Sequence, residues 1–286
     1  MTIYTISIIT STGYPYYNLN IKNLPKGIKL YLRFLDYTQS HIIQELDRVA
    51  SFELNAGLIS ALFEFAKNMD KKINTLEFKS RSEEDLKVLL NQRQKYEGDV
   101  LITCQSETYL LNASVQQKID LIYDAIISSK IPLESADRIR LKEEEKIIEI
   151  LTDKAARNHV LNNQDSLRNL SKTFLKAMGE YGLEGICITS FDLSPIMAFG
   201  EKHAFKDIEE ILRNIGEIPV VDALEWKYRQ SFHKREQVWV YIVNSGIGIT
   251  VDGLFEPYFY LLFADPQSYL ADFPARLTQD FNMVLG

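Results

Sequence analysis

Few residues in this chain have the type and spacing that catalysis requires. The phosphate-binding pattern Gly-x-x-x-x-Gly-Lys-Ser/Thr does not occur in the sequence, so the chain is not itself a P-loop GTPase. The nearest glycine-rich feature, Ser245-Gly246-Ile247-Gly248, lies between two strand-like runs rather than before a helix. Because phosphate-binding loops lead into a helix whose first amides face the anion, this position predicts a hairpin turn.

The histidine and serine patterns predict neither a metal site nor a serine nucleophile. The nucleophile motif Gly-x-Ser-x-Gly is absent from the sequence. The histidines, which lie at no spacing typical of metal ligands, are His41, His159, His203 and His233. We therefore expect no metal and no cofactor, and we assign no catalytic residue.

The two cysteines, Cys104 and Cys187, lie far apart, each inside an apolar strand-like run. A disulfide framework needs more cysteines in a smaller chain. The pattern predicts two buried free thiols in a reducing cytoplasm. Cys187 has no histidine nearby in the sequence, so a strand position favours an inert core thiol over a nucleophile.

Composition indicates a soluble globular protein of about two domains. The 286 residues are 46% hydrophobic and 25% charged, which is ordinary for a folded chain. No apolar stretch approaches the roughly 20 residues that span a bilayer, and no secretion signal is recognisable, so we expect a cytoplasmic protein. The net charge of −7 argues against a nucleic-acid partner. It lies mainly in residues 166–286, where it could face a basic partner or simply keep the surface solvated.

The first half of the sequence alternates between strand and helix patterns. Residues 3–10 are rich in β-branched side chains and residues 16–21 alternate, with a turn between them, which predicts a hairpin. Gly27 opens a third alternating run. Residues 52–69 then show a helical repeat of apolar side chains. Strands are predicted next at 73–79, 86–90 and 99–105, and a helix at 113–129.

The apolar stripe of the predicted helix 52–69 is wide. Gly57 and Ala61 lie four residues apart, which lets another backbone approach closely, and Phe63 widens the stripe. Since glycine costs a helix roughly 1 kcal/mol relative to alanine, Gly57 needs a packing reason. We expect this helix to contact a sheet and a second surface.

The middle of the sequence predicts one connecting helix. Residues 134–162 contain neither proline nor glycine, and Ile147, Ile148 and Leu151 are its expected buried contacts. The polar run 162–166 then breaks the pattern. The chain is thereby divided into a first domain at residues 1–130, a helical linker at 131–165 and a second domain at 166–286.

The second half contains the clearest alternation, at residues 223–232. The predicted order is a helix (167–181), strands (185–191 and 195–199) joined by a turn, an acidic helix (207–215), strands (223–232, 238–243 and 258–263) and a helix (267–285). Both halves therefore predict the α+β class: two domains, each with a roughly five-stranded antiparallel sheet packed with helices.

These segments resemble two families of profilin-like architecture. The segment FELNAGLISALFEFAKNM followed by INTLEFKS resembles part of a longin domain. The segment GICITSFDLSPIMAF followed by residues 223–263 resembles a roadblock (dynein light chain roadblock) domain, with 167–181 and 267–285 as its outer helices. Both families have a five-stranded antiparallel sheet interrupted by a helix after the second strand. The run 27–37 is extra material relative to the longin pattern.

The resemblance implies function through surface contacts. Longin and roadblock domains are platforms for small Ras-like GTPases in trafficking and signalling, and they commonly pair with another longin or roadblock domain. The chain would then be a non-enzymatic scaffold that binds such a GTPase, pairs with itself or a similar protein, and reaches membranes only indirectly. At most it would assist GTP hydrolysis or nucleotide exchange by the partner. This transfer from fold to function is an analogy.

The candidate interface combines arginines, aromatic residues and the wide helix. Arginine can stabilise the charge that develops in GTP hydrolysis, although Arg213, Arg229 and Arg235 are each far more typical of a solvated surface, and none is assigned a catalytic role. Trp239 and Tyr241 on one strand face could anchor a partner, and core packing explains them almost as well. The candidate interface residues are Gly57, Ala61, Phe63, Trp239, Tyr241, Arg213 and Arg229.

A second function class remains open. The same order of strands and helices resembles small-molecule sensor domains of the PAS and GAF type, which hold a ligand between helix and sheet. An apolar cavity with convergent polar groups would favour a sensor. A filled core with apolar outer faces would favour the scaffold.

Overall fold

The computed structural model of the chain describes residues 2–10, 12–37, 60–62, 64, 67 and 100–286. These residues form two antiparallel sheets packed with helices, which confirms the α+β class. Residues 1–37 and 99–286 cluster into one compact unit and residues 38–98 into another. Both sheets lie in the first unit. The predicted division at residues 130 and 165 stays a prediction about which parts fold independently.

The first sheet begins with the predicted hairpin. Its strands are β1 (Ile3–Thr10), β2 (Pro15–Asn20), β3 (Leu30–Asp36) and β4 (Val100–Glu107), in the order β2-β1-β4-β3. β1 is the more buried strand of the hairpin, and Ile6 pairs with Leu19 on one side and Cys104 on the other. β1 and β4 are therefore the central strands of this sheet.

The run that follows Gly27 is an integral strand of this sheet. β3 pairs with β4 along its whole length, from Leu30 opposite Glu107 to Asp36 opposite Leu101. β1 occupies the other edge of β4. Both edges of β4 are therefore paired with other strands. The element that follows the hairpin is thus a third strand, β3, where the longin pattern has a helix. The strands predicted at 73–79 and 86–90 lie outside the described residues.

Little of the predicted helix 52–69 falls within the described residues. Residues 60–62, 64 and 67 are helical, as predicted, and Ala61 is exposed. Gly57 and Phe63 lie outside the described part of the chain.

The helix predicted at 113–129 is present but changes its pitch. α1 (Asn112–Ile122) continues into a π-helical turn at Tyr123–Ile127 and a 3₁₀ turn at Ser128–Lys130. The predicted apolar stripe is buried. It consists of Val115, Ile119, Ile122 and Ile126.

The single connecting helix predicted at 134–162 is wrong. The structure has two helices there, α2 (Leu141–Leu151) and α3 (Lys154–Asn162), separated at Asp153, which adopts a φ of 52°. Aspartate tolerates this left-handed backbone better than most residues. The break is invisible to a search for proline and glycine because neither residue causes it.

In the second half, the observed order of elements matches the prediction. The helices are α4 (Gln164–Met178), α5 (Phe205–Arg213) and α6 (Phe273–Leu285). The strands are β5 (Leu183–Thr189), β6 (Pro195–Phe199), β7 (Trp226–His233), β8 (Glu236–Val251) and β9 (Leu254–Ala264), in the order β6-β5-β9-β8-β7.

Helices cover both faces of the second sheet. On one face, aromatic rings fill the space under α4 and α6: Tyr260 lies 5.1 Å from Phe281, and Phe174 lies 5.2 Å from Phe273. On the other face, α5 buries an apolar side of its own, of which Ile211 is fully buried. The described residues between helix and sheet therefore form a filled core.

The glycine-rich segment Ser245–Gly248 is not the predicted hairpin turn. It lies inside β8, where the pairing with β9 shifts register between Asn244 and Gly248. A Cβ built on Gly248 would lie 1.9 Å from the carbonyl oxygen of Glu256, so only glycine fits this close approach. The hairpin turns at Asp252 and Gly253 instead, both at positive φ.

Both cysteines are free and buried, as predicted. Burial raises the pKa of Cys104 to about 11 and that of Cys187 still further, which keeps the thiols protonated. Among the described helices, none combines the length and the apolar character that a bilayer crossing would need.

Candidate functional site

The second sheet ends in strand β7, whose outer edge has no strand partner among the described residues. β7 pairs with β8 along its whole length, up to His233 opposite Glu236. Because only two residues join the strands, His233 and Glu236 form a hydrogen-bonded pair, and such pairs recur at every second residue. The backbone groups of Tyr228 and Gln230 therefore point away from the sheet.

Two hydrogen bonds agree with this orientation. The carbonyl oxygen of Phe232 accepts a bond from Asn214 Nδ2 at 3.0 Å, and that of Tyr228 accepts one from Arg229 Nη1 at 3.2 Å. Within the described residues, no backbone carbonyl outside the strands accepts the amide of Tyr228 or Gln230. Such an edge is a ready template for an added strand.

A ladder of aromatic rings covers one side of β7 and β8. Tyr228 stacks on Trp239 with ring centroids 5.1 Å apart, and Tyr241 lies 5.7 Å from both Tyr228 and Trp226. Trp239 and Tyr241 share a face, as predicted, but Tyr241 is buried and Trp239 is partly buried. The exposed apolar surface comes mainly from Tyr228 and Phe232, which are 49% and 53% exposed.

Cationic side chains accompany the edge. Arg229 is exposed, and its Nε donates to the carbonyl oxygen of Glu217 at 3.3 Å, which steadies the loop before β7. The loop between β7 and β8 adds Lys234 and Arg235, both exposed and both at positive φ. Such charges at an edge discourage unspecific strand pairing.

Arg213, another residue of the candidate interface, is bound within the chain. Its Nε and Nη2 donate to the two carboxylate oxygens of Glu107 at 2.9 and 2.7 Å. The hydroxyl of Tyr4 donates to the same carboxylate. Glu107 is 1% exposed, so the paired charges are largely desolvated. Arg213 therefore joins α5 to the end of β4, and an external role would require breaking this pair.

A second buried ion cluster is centred on Lys118 of α1. Its Nζ lies 2.5 Å from Asp153 Oδ1 and 2.5 Å from Asp192 Oδ2, and its side chain is fully buried. Glu256, on β9, is the third acid of the cluster, since the charges of Asp153, Lys118 and Asp192 all act on its carboxyl group. We call these four residues the Lys118 cluster.

Asp192 is the acid that the fold holds ionised. Its Oδ1 accepts hydrogen bonds from Ser190 Oγ and the amide of Ser194, both at 2.8 Å. Burial alone would raise its pKa, but the adjacent ammonium of Lys118 and these hydrogen bonds bring it to about 2. The negative charge of the β5–β6 turn is thus permanent near neutral pH.

The other two acids of the cluster hold their protons more tightly. Burial and the charge of Asp192 raise the pKa of Asp153 to about 6, against the opposing effect of Lys118. Burial, followed by the charge of Asp153, raises the pKa of Glu256 to about 7. One lysine does not compensate three carboxylates, so the cluster favours retaining protons near neutral pH.

Hydrogen bonds surround the Lys118 cluster where the β5–β6 turn contacts α1 and other residues of the first half; we call this set of contacts the polar seam. Ser114 Oγ donates to the carbonyl oxygen of Phe191 at 2.8 Å, and the amide of Leu111 donates to that of Asp192 at 3.3 Å. The hydroxyls of Thr2 and Ser194 also share a hydrogen bond. This seam fixes the turn against residues of the first half of the chain.

Sequence reasoning missed the Lys118 cluster. One signal was present: Lys118 lies three residues after Val115 and four before Ile122, on the apolar stripe of its own helix. A lysine on a buried stripe needs an acidic partner. The partners could not be read from the sequence because Asp153, Asp192 and Glu256 lie on three separate segments.

The sequence matches no known protein-family model. No curated protein matches it either.

Proposed function

We propose that the chain is a non-enzymatic scaffold that associates through the edge of β7. A strand from a second copy, or from another longin- or roadblock-like protein, adds to this edge, and the resulting platform binds a small Ras-like GTPase. The GTPase as partner comes from the resemblance of the sequence. The effect on it is selection of one nucleotide state by surface complementarity.

One observation carries the association. β7 is an eight-residue edge strand with outward backbone groups, and Tyr228 and Phe232 expose about half of their surface beside it. Backbone bonds at an edge supply affinity in strand addition, while side chains beside it supply specificity. Large aromatic residues are typical anchors of such interfaces.

The filled core supports a scaffold over a small-molecule sensor. The rings of Tyr260 and Phe281, and of Phe174 and Phe273, occupy the layer between sheet and helices where a sensor would hold its ligand. A groove of about 500 Å³ is lined by Leu224, which precedes β7, and by Met283 of α6. Both side chains are largely exposed. That groove lies at the surface.

The association is tested by removing one outward amide. Gln230→Pro deletes the N–H that faces away from β8, and proline is tolerated on edge strands for this reason. Gln230→Ala is the matched control because it keeps the amide. Light scattering of the full chain should give a dimer for the natural sequence and the control, and a monomer for the proline variant. A natural chain that is monomeric at every accessible concentration contradicts self-association.

The GTPase partner is tested separately. Small Ras-like GTPases encoded with this protein are loaded with GDP or a GTP analogue, and their binding to the full chain is measured by calorimetry. We expect at least one to bind, with different affinities for the two states. Failure of all of them in both states would refute the partner while leaving the dimer result intact.

A further inference from the structure

A group of metal-ligating side chains lies where α5 meets the end of β7. Asp207 and Glu210 are three residues apart and project from the same side of α5. His233, the last residue of β7, brings its Nε2 to 3.2 Å from Asp207 Oδ1 and 4.0 Å from Glu210 Oε2. One ligand atom from each residue lies within 4.8 Å of the others.

These separations suit a shared ion. Zn²⁺ binds imidazole nitrogen and carboxylate oxygen at about 2.0–2.2 Å, so two ligands at the tetrahedral angle lie roughly 3.4 Å apart. The 3.2 Å separation between His233 and Asp207 is already close to this value. Glu210, whose side chain is 49% exposed, has the freedom to close the 4.0 Å separation.

The charges of the group also suit a cation. The Oδ2 atom of Asp207 accepts a hydrogen bond from the amide of Ala204 at 2.9 Å, and its Oδ1 is directed at His233. Lys234 lies 3.8 Å from the same Oδ1, but its side chain is 72% exposed and can withdraw into solvent. Apart from Lys234 and His233 itself, the described residues place no basic side chain within 4.0 Å of either carboxylate of the group.

A second histidine beside the group has an unsatisfied nitrogen. The ring of His203 lies 5.6 Å from that of His233 in an edge-on arrangement, and its side chain is 2% exposed. Its Nε2 lies 3.0 Å from Glu184, but its Nδ1 has no hydrogen-bond partner among the described residues. An unpaired buried nitrogen is costly unless something satisfies it.

We propose that Asp207, Glu210 and His233 form a binding site for a divalent transition metal of the zinc class. The mixed nitrogen and oxygen ligands select such ions over Ca²⁺ and Mg²⁺, which prefer oxygen alone. Three protein ligands leave a fourth position to water. The site does not depend on the proposed scaffold function. The fold creates it around a single histidine, His233, where the spacing of histidines in the sequence predicted no metal site.

Calorimetry with ZnCl₂ on the full chain, stripped of metal with a chelator, tests the site. We expect one ion per chain for the natural sequence. Glu210→Gln, at an exposed position, should weaken binding at least tenfold, since loss of even an outer partner of a ligand costs 10–100-fold. His233→Gln should weaken it at least as much. Glu217→Gln, which alters an exposed carboxylate elsewhere, is the control and should bind as the natural chain does.

A second readout identifies the ligands. Co²⁺ in place of Zn²⁺ should give visible absorption bands for the natural chain, and these bands should shift or disappear in Glu210→Gln. The variant should melt at the same temperature as the natural chain, which shows that its fold is intact. The site is refuted if the natural chain binds neither ion. It is equally refuted if Glu210→Gln and His233→Gln both bind Zn²⁺ as tightly as the control.

Discussion

Glu256→Gln should make the protein more stable at alkaline pH. Glu256 is 2% exposed, and its Oε2 has no hydrogen-bond partner among the described residues. Ionisation in the folded chain therefore places an uncompensated charge next to Asp153 and Asp192. Glutamine has nearly the same shape and cannot ionise, so the variant avoids this cost.

The magnitude follows from the pKa difference. The pKa of Glu256 is about 7 in the folded chain, against an ordinary value of 4.5. A raised pKa means that the folded chain binds the proton more tightly than the unfolded chain. Stability is then full below about pH 4.5 and is lost as pH rises through 7. At about 1.4 kcal/mol per pH unit, the total loss is about 3 kcal/mol, of which roughly 2.5 falls between pH 5 and pH 8.

Urea denaturation of the natural chain and the variant at pH 5 and pH 8 measures this effect. The difference in unfolding free energy between the two chains cancels other titrating groups. It should shift in favour of Glu256→Gln by about 2 to 3 kcal/mol between the two pH values. Glu201→Gln, at an exposed position, should show no comparable shift. The reasoning fails if the difference between natural chain and Glu256→Gln is the same at pH 5 and pH 8.

Two further substitutions test other parts of the structure. Lys118→Met leaves Asp192 buried without its cation, so the unfolding free energy at pH 7 should fall by about 3–5 kcal/mol in urea denaturation. Lys172→Met, at an exposed position, is the control and should change it little. A loss below about 1 kcal/mol for Lys118→Met would contradict the ion pair. Arg235→Gly relieves a φ of 72° in the loop between β7 and β8 and should raise the melting temperature. The left-handed backbone costs arginine about 1–2 kcal/mol, but glycine loses more conformational entropy on folding, so we expect a net gain in stability of about 0.5–1 kcal/mol. An unchanged or lower melting temperature would show that the loop is unstrained.

Local patterns in the sequence predicted the elements whose side chains alternate or repeat along one segment. The alternation at residues 223–232 gave β7, and the apolar stripe of residues 113–129 gave α1. Both patterns record which side of a segment faces the core, and burial imposes that order directly on the sequence. The order of elements in the second half followed from the same information.

Features that depend on contacts between distant segments left weaker traces. The helix breaks at Asp153, whose carboxylate pairs with Lys118 on another segment, and Gly248 is required because the backbone of Glu256 approaches it. In the proposed metal-binding group, His233 lies next to Glu210 in space although it follows it by 23 residues in the sequence. In each case the deciding neighbour lies on another segment, and periodicity within one segment contains no information about it.

The Lys118 cluster also bears on how the two halves depend on each other. Lys118 belongs to the first predicted domain, Asp153 to the linker, and Asp192 and Glu256 to the second. A chain that began at residue 166 would keep both acids of the second domain and lose Lys118, the one ammonium found against Asp192 among the described residues. Breaking a buried pair costs more than the pair contributes, because a charge is left without compensation. The β5–β6 turn of the second sheet therefore relies on the first half, which is why the proposed association through β7 is to be tested on the full chain.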